Sequence, residues 1–143
     1  MIFWDKLKSF SSLYERLTEP VRERYHLTQL EFDILMFLHN NPQYKTANDM
    51  VRVRRLTKSH VSTSVSSLQK KGLLARSYRE GNRKSIQLEL TPAATEIISI
   101  GIQAQAAYGD ILIRGFSEAE REQFASLFLR ICANADAELD RRK

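Results

Sequence analysis

Apolar residues recur near the start of the chain at Phe3, Leu7, Phe10, Tyr14 and Leu17, at spacings of 4, 3, 4 and 3. This heptad-like spacing predicts a helix over residues 2–18 with a single apolar stripe. Pro20 lacks a backbone N–H and crowds the preceding turn. A break or kink is therefore expected near Thr18 to Pro20, with a short helical piece through Val21 and Tyr25. Thr28-Gln29-Leu30-Glu31 has the form of a capping box, and Leu27 and Phe32 stand at the two positions of a hydrophobic staple. The helix after it spans 29–40, with Leu30, Ile34, Leu35, Phe37 and Leu38 facing inward, until Asn40-Asn41-Pro42 stops it. Thr46 can cap a short helix over 47–54 that turns Met50 and Val53 inward. Arg54-Arg55-Leu56 is a connector, Thr57 can cap the next helix, and Gly72 ends it.

Past Gly72 the period changes. Residues 73–79 (LLARSYR) read as a strand, and Glu80-Gly81-Asn82 as turn material. From Ser85 to Leu90, Ile86, Leu88 and Leu90 alternate with polar residues, the pattern of a half-buried strand. Thr91-Pro92 starts a long helix that Gly115 ends. Ser117-Glu118-Ala119-Glu120 is a second capping box, opening a helix with Phe124, Leu127, Phe128, Ile131 and Ala135 on one face. The result is a mainly α fold with a small β-hairpin: a winged helix-turn-helix over 28–90, flanked by helices at 1–27 and 91–143, all in one domain. Those flanking helices carry more apolar surface than one small winged domain can cover. They are expected to form the dimerisation region of a homodimer.

Residues 57–72 (TKSHVSTSVSSLQKKG) contain five serines and two threonines. Both are mediocre helix formers, because their hydroxyls compete for backbone groups. At 100° per residue, Val61, Val65 and Leu68 fall within about 60° of one another as a core stripe. Ser59, Ser62, Thr63, Ser66 and Lys70 lie opposite. Ser64 sits at the margin, placed to back-bond to the His60 carbonyl. The outward face is compact, hydroxyl-bearing and free of acids, which suits close approach to the major groove of double-stranded DNA. The start of the helix nominates Lys58, Ser59, His60, Ser62 and Thr63 for base contacts, with Ser66 and Lys70 reaching phosphates. Around the hairpin tip, Arg79, Arg83 and Lys84 suit an adjacent minor groove.

Charge sharpens this reading. Lys45 to Lys84 holds eleven Lys/Arg against two acids, a net +9, whereas the rest of the chain is −4. A concentrated basic block in an otherwise acidic chain is the footprint of polyanion binding. The 143 residues, 43% hydrophobic and 27% charged with only 5 Gly and 3 Pro, exclude collagen-like and disordered classes. No apolar run is long enough for a membrane span, and the N-terminus lacks a signal-peptide pattern, so a cytoplasmic location is expected. Phosphate-binding glycine loops, nucleophile elbows and paired-acid signatures are absent, which argues against an enzyme. Cys132 is the single cysteine, so no disulfide forms within the chain. His26, His39 and His60 form no i, i+4 pair, so neither a metal nor another cofactor is expected.

LTQLEFDILMFL, KSHVSTSVSSLQKKGLL, GNRKSIQLELT and FSEAEREQFASLFLRI together resemble the MarR family of bacterial transcriptional regulators. The resemblance covers nearly the whole chain, 28–131 most clearly. It implies a homodimeric winged helix-turn-helix repressor on pseudo-palindromic DNA, released in many members by a small, often phenolic molecule or an oxidant. It places Thr57 to Thr63 and Ser66 on the recognition helix and Arg83 at the wing arginine. Asn82 departs from the family's wing Asp, which pairs with an arginine. Ser64 stands where an apolar residue is common. Arg54-Arg55 replaces the usual Leu-Gly and adds two candidate phosphate contacts. Trp4, Phe10, Tyr14, Tyr25 and Phe32 are the candidates for an aromatic effector pocket, with core packing the competing role. Cys132, beside Phe128 and Ile131, reads as a buried structural thiol. A winged helix serving as a protein-interaction module without specific DNA binding remains the alternative, distinguished by a weak dependence of any DNA affinity on salt.

Overall fold

Hydroxyl-bearing caps start most of the helices, as the sequence predicts. The computed structural model describes residues 2–79 and 82–143, with the side chains of residues 2, 79 and 82–85 outside that description. Helix α1 spans Ile2–Arg24, α2 Gln29–Asn40, α3 Ala47–Arg54 and α4 Lys58–Lys70. Strands β1 (Leu74–Arg79) and β2 (Asn82–Leu90) form an antiparallel hairpin, followed by α5 (Thr95–Leu112) and α6 (Glu118–Arg141). Complete capping boxes stand at Thr28/Glu31, Thr46/Asp49 and Ser117/Glu120. Gly72 and Gly115 take the left-handed conformation past α4 and α5, at φ +76° and +84°.

Two expected caps act differently. Thr57 occupies the N-cap of α4 without a side-chain capping bond. Thr91 precedes a 3-10 turn at Pro92–Ala94, and its hydroxyl instead donates to the Gly72 carbonyl at 2.6 Å. That bond closes the base of the hairpin, so it competes with capping for the same hydroxyl.

The break expected at Pro20 does not occur, and α1 runs through it. A proline inside a helix costs about 3 kcal/mol. Here Thr18 and Val21 are buried on either side of it, anchoring both halves to the core. Side chains also reach carbonyls of the preceding turn: the Thr18 hydroxyl donates to Tyr14 O at 3.0 Å, and Arg22 Nη2 to Glu15 O at 2.8 Å.

The core gathers Leu27 and Phe32 of the staple, Ile34 and Leu35 of α2, Met50 of α3, and Val61, Val65 and Leu68 of α4. Leu73, Leu74 and Leu88 of the hairpin and Ile97 of α5 join them. Val53, expected inward, is 37% exposed. Helix α3 is only two turns long and ends where Arg55 turns left-handed (φ 52°), so Val51 and Leu56 pack against the core instead. The buried stripe also explains how a serine-rich α4 forms. Its six Ser/Thr cost roughly 0.5 kcal/mol each against better helix formers. Burying each of Val61, Val65 and Leu68 contributes about 1.5–3 kcal/mol, which offsets that total.

By packing, the chain divides into one unit ending at Tyr108 and a second spanning Gly109–Lys143. Within the second, α6 buries none of its residues, and Phe124, Leu127, Phe128 and Ile131 are 46–54% exposed along one face. Cys132 lies on this helix and is half-buried, not the buried thiol expected.

Candidate nucleic-acid interface

Helix α4 packs against α2, α3 and β1, which fixes which of its faces points outward. Thr57, Lys58, Ser59, His60, Ser62, Thr63 and Lys70 are exposed, and Ser66 is half-buried. The candidate positions therefore lie together, opposite Val61, Val65 and Leu68, as the wheel requires. On the outward face, the hydroxyls of Thr63 and Ser66 are already engaged. Thr63 Oγ1 donates to Ser59 O at 2.9 Å, the i−4 back-bond anticipated one residue later at half-buried Ser64. Ser66 Oγ accepts from Arg76 Nη2 at 3.2 Å.

Arg76 was not anticipated as part of this surface. It is exposed on β1 opposite buried Leu88, so it shares the strand face of Leu74 and Tyr78. An arginine on the apolar parity of a strand is the signal that marks it. It borders a cleft of about 560 Å³ between α3, α4 and the hairpin, with Val51, Val61, Val65, Ile86 and Leu88 in its lining and Lys58 and Ser62 beside them.

The hairpin pairs Leu74 with Leu90 through Tyr78 with Ile86, then shifts register so that Arg79 faces Asn82. Asn82 thus opens β2 instead of belonging to the turn. The rest of the turn, Glu80-Gly81, lies outside the described residues, as do the side chains of Arg79, Arg83 and Lys84. The two connector arginines separate. Arg54 stacks its guanidinium over Phe37 at 5.3 Å and lines a small cavity of about 170 Å³ with Asp33, on the α2 side of α3. Arg55 is the left-handed cap of α3.

Behind α4, Glu31 is 3% exposed. Its Oε1 accepts from Thr28 N at 3.0 Å, and its Oε2 accepts from Ser67 Oγ at 2.8 Å and Lys71 Nζ at 2.9 Å. Burial alone would raise its pKa, but the Thr28 N–H and then Lys71 and Ser67 outweigh burial and hold the carboxyl below its ordinary range. Asp49 is lowered in the same way: its bonds with Thr46, Lys45 and Arg52 outweigh burial. Burial wins at Asp33, whose carboxyl is raised although Gln29 donates to it at 3.0 Å.

The five effector-pocket candidates do not line either of these cavities. Phe32 is fully buried core, Trp4 and Phe10 are exposed at 66% and 46%, and Tyr14 and Tyr25 are half-buried against the core. Tyr14 packs edge-on against Tyr108 at 5.2 Å and accepts from Gln105 at 2.9 Å. Among the described residues no group of three or more His, Cys, Asp and Glu could hold a metal, and no helix is long and apolar enough to cross a membrane.

Helix, short helix, helix and hairpin in this order define a winged helix-turn-helix protein. Over residues 26–85 the chain matches the model of the MarR family. It is 26% identical over 133 residues to the HTH-type transcriptional regulator PecS of Dickeya dadantii, a match covering 92% of this chain and 80% of PecS. Its fold is similar to that of a MarR protein from Peptoclostridium difficile, with a TM-score of 0.84 at 14% identity over 100% of this chain and 93% of that one. It is also similar to S. aureus MepR, solved as a DNA complex, with a TM-score of 0.75 at 19% identity over 90% and 92% of the two chains.

Proposed function

We propose that the chain is a homodimeric repressor of the cytoplasm that binds pseudo-palindromic operator DNA and is released by a small aromatic effector. One observation carries the DNA-binding reading. The outward face of α4 is acid-free, compact and rich in hydroxyls, and it lies within the +9 block from Lys45 to Lys84. A helix can enter the major groove only if its side chains allow close approach, and hydroxyls can meet both base edges and phosphates. Lys58, Ser59, His60, Ser62 and Thr63 are assigned to the bases, with Thr57 at the helix start. Ser66, Lys70, Arg54 and Arg55 are assigned to phosphate, and Arg79, Arg83 and Lys84 to the minor groove. Arg54 serves phosphate only if it leaves its seat on Phe37.

Exposed apolar faces support the homodimer. Phe3, Leu7 and Phe10 on α1, and Phe124, Leu127, Phe128 and Ile131 on α6, lack cover that a second copy would supply. A two-fold dimer would read a pseudo-palindromic site. The exposed or half-buried aromatic surfaces of Trp4, Phe10, Tyr14 and Tyr25 are where the effector reading puts its ligand, whereas Phe32 serves the core.

Binding-site selection from a random duplex pool tests the DNA assignments. Ser62→Ala or Thr63→Ala is expected to change the preferred bases, with about 1–3 kcal/mol lost on the wild-type site. Arg83→Ala is expected to weaken binding about equally on all sequences. Unchanged preference and affinity in all three variants would rule out this docking.

A further inference from the structure

The geometry points to Lys71, with Glu31 and Ser67, as a positioning lock that sets the rotation of α4 and so the aim of its outward face. A single ammonium ties three segments together. Lys71 Nζ donates to Glu31 Oε2 at 2.9 Å, at the start of α2. It also donates to His26 O at 2.6 Å, in the turn that closes α1. His26 is held at φ 55°, a left-handed conformation that non-glycine residues seldom adopt. Such strain persists only where the surroundings over-determine it.

Ser67 supplies the second attachment, one helical turn before Lys71 and onto the same carboxylate oxygen at 2.8 Å. Two directional bonds from one face of α4 resist rotation about the helix axis. The apolar stripe of Val61, Val65 and Leu68 settles which face points outward, but apolar burial is non-directional and sets the rotation less finely than hydrogen bonds do. The consequence for the opposite face is geometric. On a helix of about 5 Å radius, a rotation of roughly 20° moves side-chain tips by about 2 Å. That is enough to break a hydrogen bond to a base edge.

The capping role of Glu31 does not require this arrangement. A capping box accepts Gln as well as Glu, and it uses the Thr28 N–H alone. The further partners lie 36 and 40 residues away, on α4 and its C-cap. Nor does stability require both charges: Glu31 is buried while the Lys71 side chain is one-third exposed, and replacing both partners of such a pair by neutral groups of similar size is often neutral. What the hydrogen-bonded pair adds here is a single preferred position for the helix.

The inference rests on the DNA-binding reading, and the test separates the two. The probe is the duplex that the wild-type protein enriches from a random pool. Failure of the wild type to enrich any duplex defeats the DNA-binding reading, and the lock falls with it. With the duplex in hand, Glu31→Gln/Lys71→Met is compared with Lys71→Arg and wild type by fluorescence anisotropy over a salt series and by thermal melting. The double variant is expected to lose at least about tenfold in affinity, with its melting midpoint and salt slope unchanged. Lys71→Arg, which keeps the charge and the donors, is expected to restore most of the affinity. Wild-type affinity in the double variant would overturn the proposal. So would a salt slope lower by about one, which would make Lys71 a phosphate contact. Loss of folding in the double variant, or a melting midpoint that falls together with affinity, would reduce the pair to a folding element and overturn it as well.

Discussion

Glu31 is legible in the sequence as a capping residue three positions after Thr28, and the structure gives it that role and a second one. Nothing in the local pattern shows that its other oxygen meets Ser67 and Lys71, because those residues lie 36 and 40 positions away. Long-range polar pairs leave no periodic trace, which is why this one and the Arg76–Ser66 bond were not anticipated. The depressed pKa of Glu31 has a consequence for acid stability. A carboxyl lowered in the folded state contributes stability that is fully present above its unfolded value, near 4.5, and is lost as pH falls through the folded value. Glu31→Gln alone, which leaves the Lys71 ammonium without its carboxylate where the double variant removes both charges, is therefore expected to melt lower than wild type at neutral pH. The gap should close as the pH drops below that range, followed by circular dichroism at stepped pH. A gap that stays constant down to acid pH would mean that ionisation of Glu31 contributes nothing.

At the scale of elements, helix starts and stops were the most readable features. Local chemistry decides them, and Thr28, Thr46, Ser117, Gly72 and Gly115 all act where the sequence places them. Readings that depended on the rest of the fold fared worse. Pro20 is carried through α1 by burial on both sides, and Val53 is turned out by the shortness of α3. Gly101 is a further case, since nothing local explains a glycine within α5. A Cβ there would lie 2.5 Å from Met36 Sδ and 3.1 Å from Phe32 Cζ, so the glycine allows α5 to cross close over α2. Alanine's better helix propensity would add about 1 kcal/mol. Overpacking against two buried side chains costs about 1–3 kcal/mol and is expected to win. Gly101→Ala should lower the melting midpoint, and a raised midpoint would show that the crossing relaxes freely.

For the whole molecule, the basic block and the outward face of α4 were both legible, because charge and helical period are properties of the sequence itself. The effector candidates were less so, since aromatic residues at helical spacing serve a core as readily as a pocket, and Phe32 has taken the first role. The apolar faces left open on α1 and α6 are the surfaces that the proposed homodimer would cover. The central claim is that the surface of α4 and the hairpin meets DNA phosphates. The most direct test is affinity for the enriched duplex as a function of salt. Counterion release predicts a linear fall of log affinity with log salt, on the order of a thousandfold between about 50 and 200 mM for roughly six phosphate contacts. No binding at the low end, or an affinity indifferent to salt, would contradict the account and leave the winged helix as a surface for protein partners.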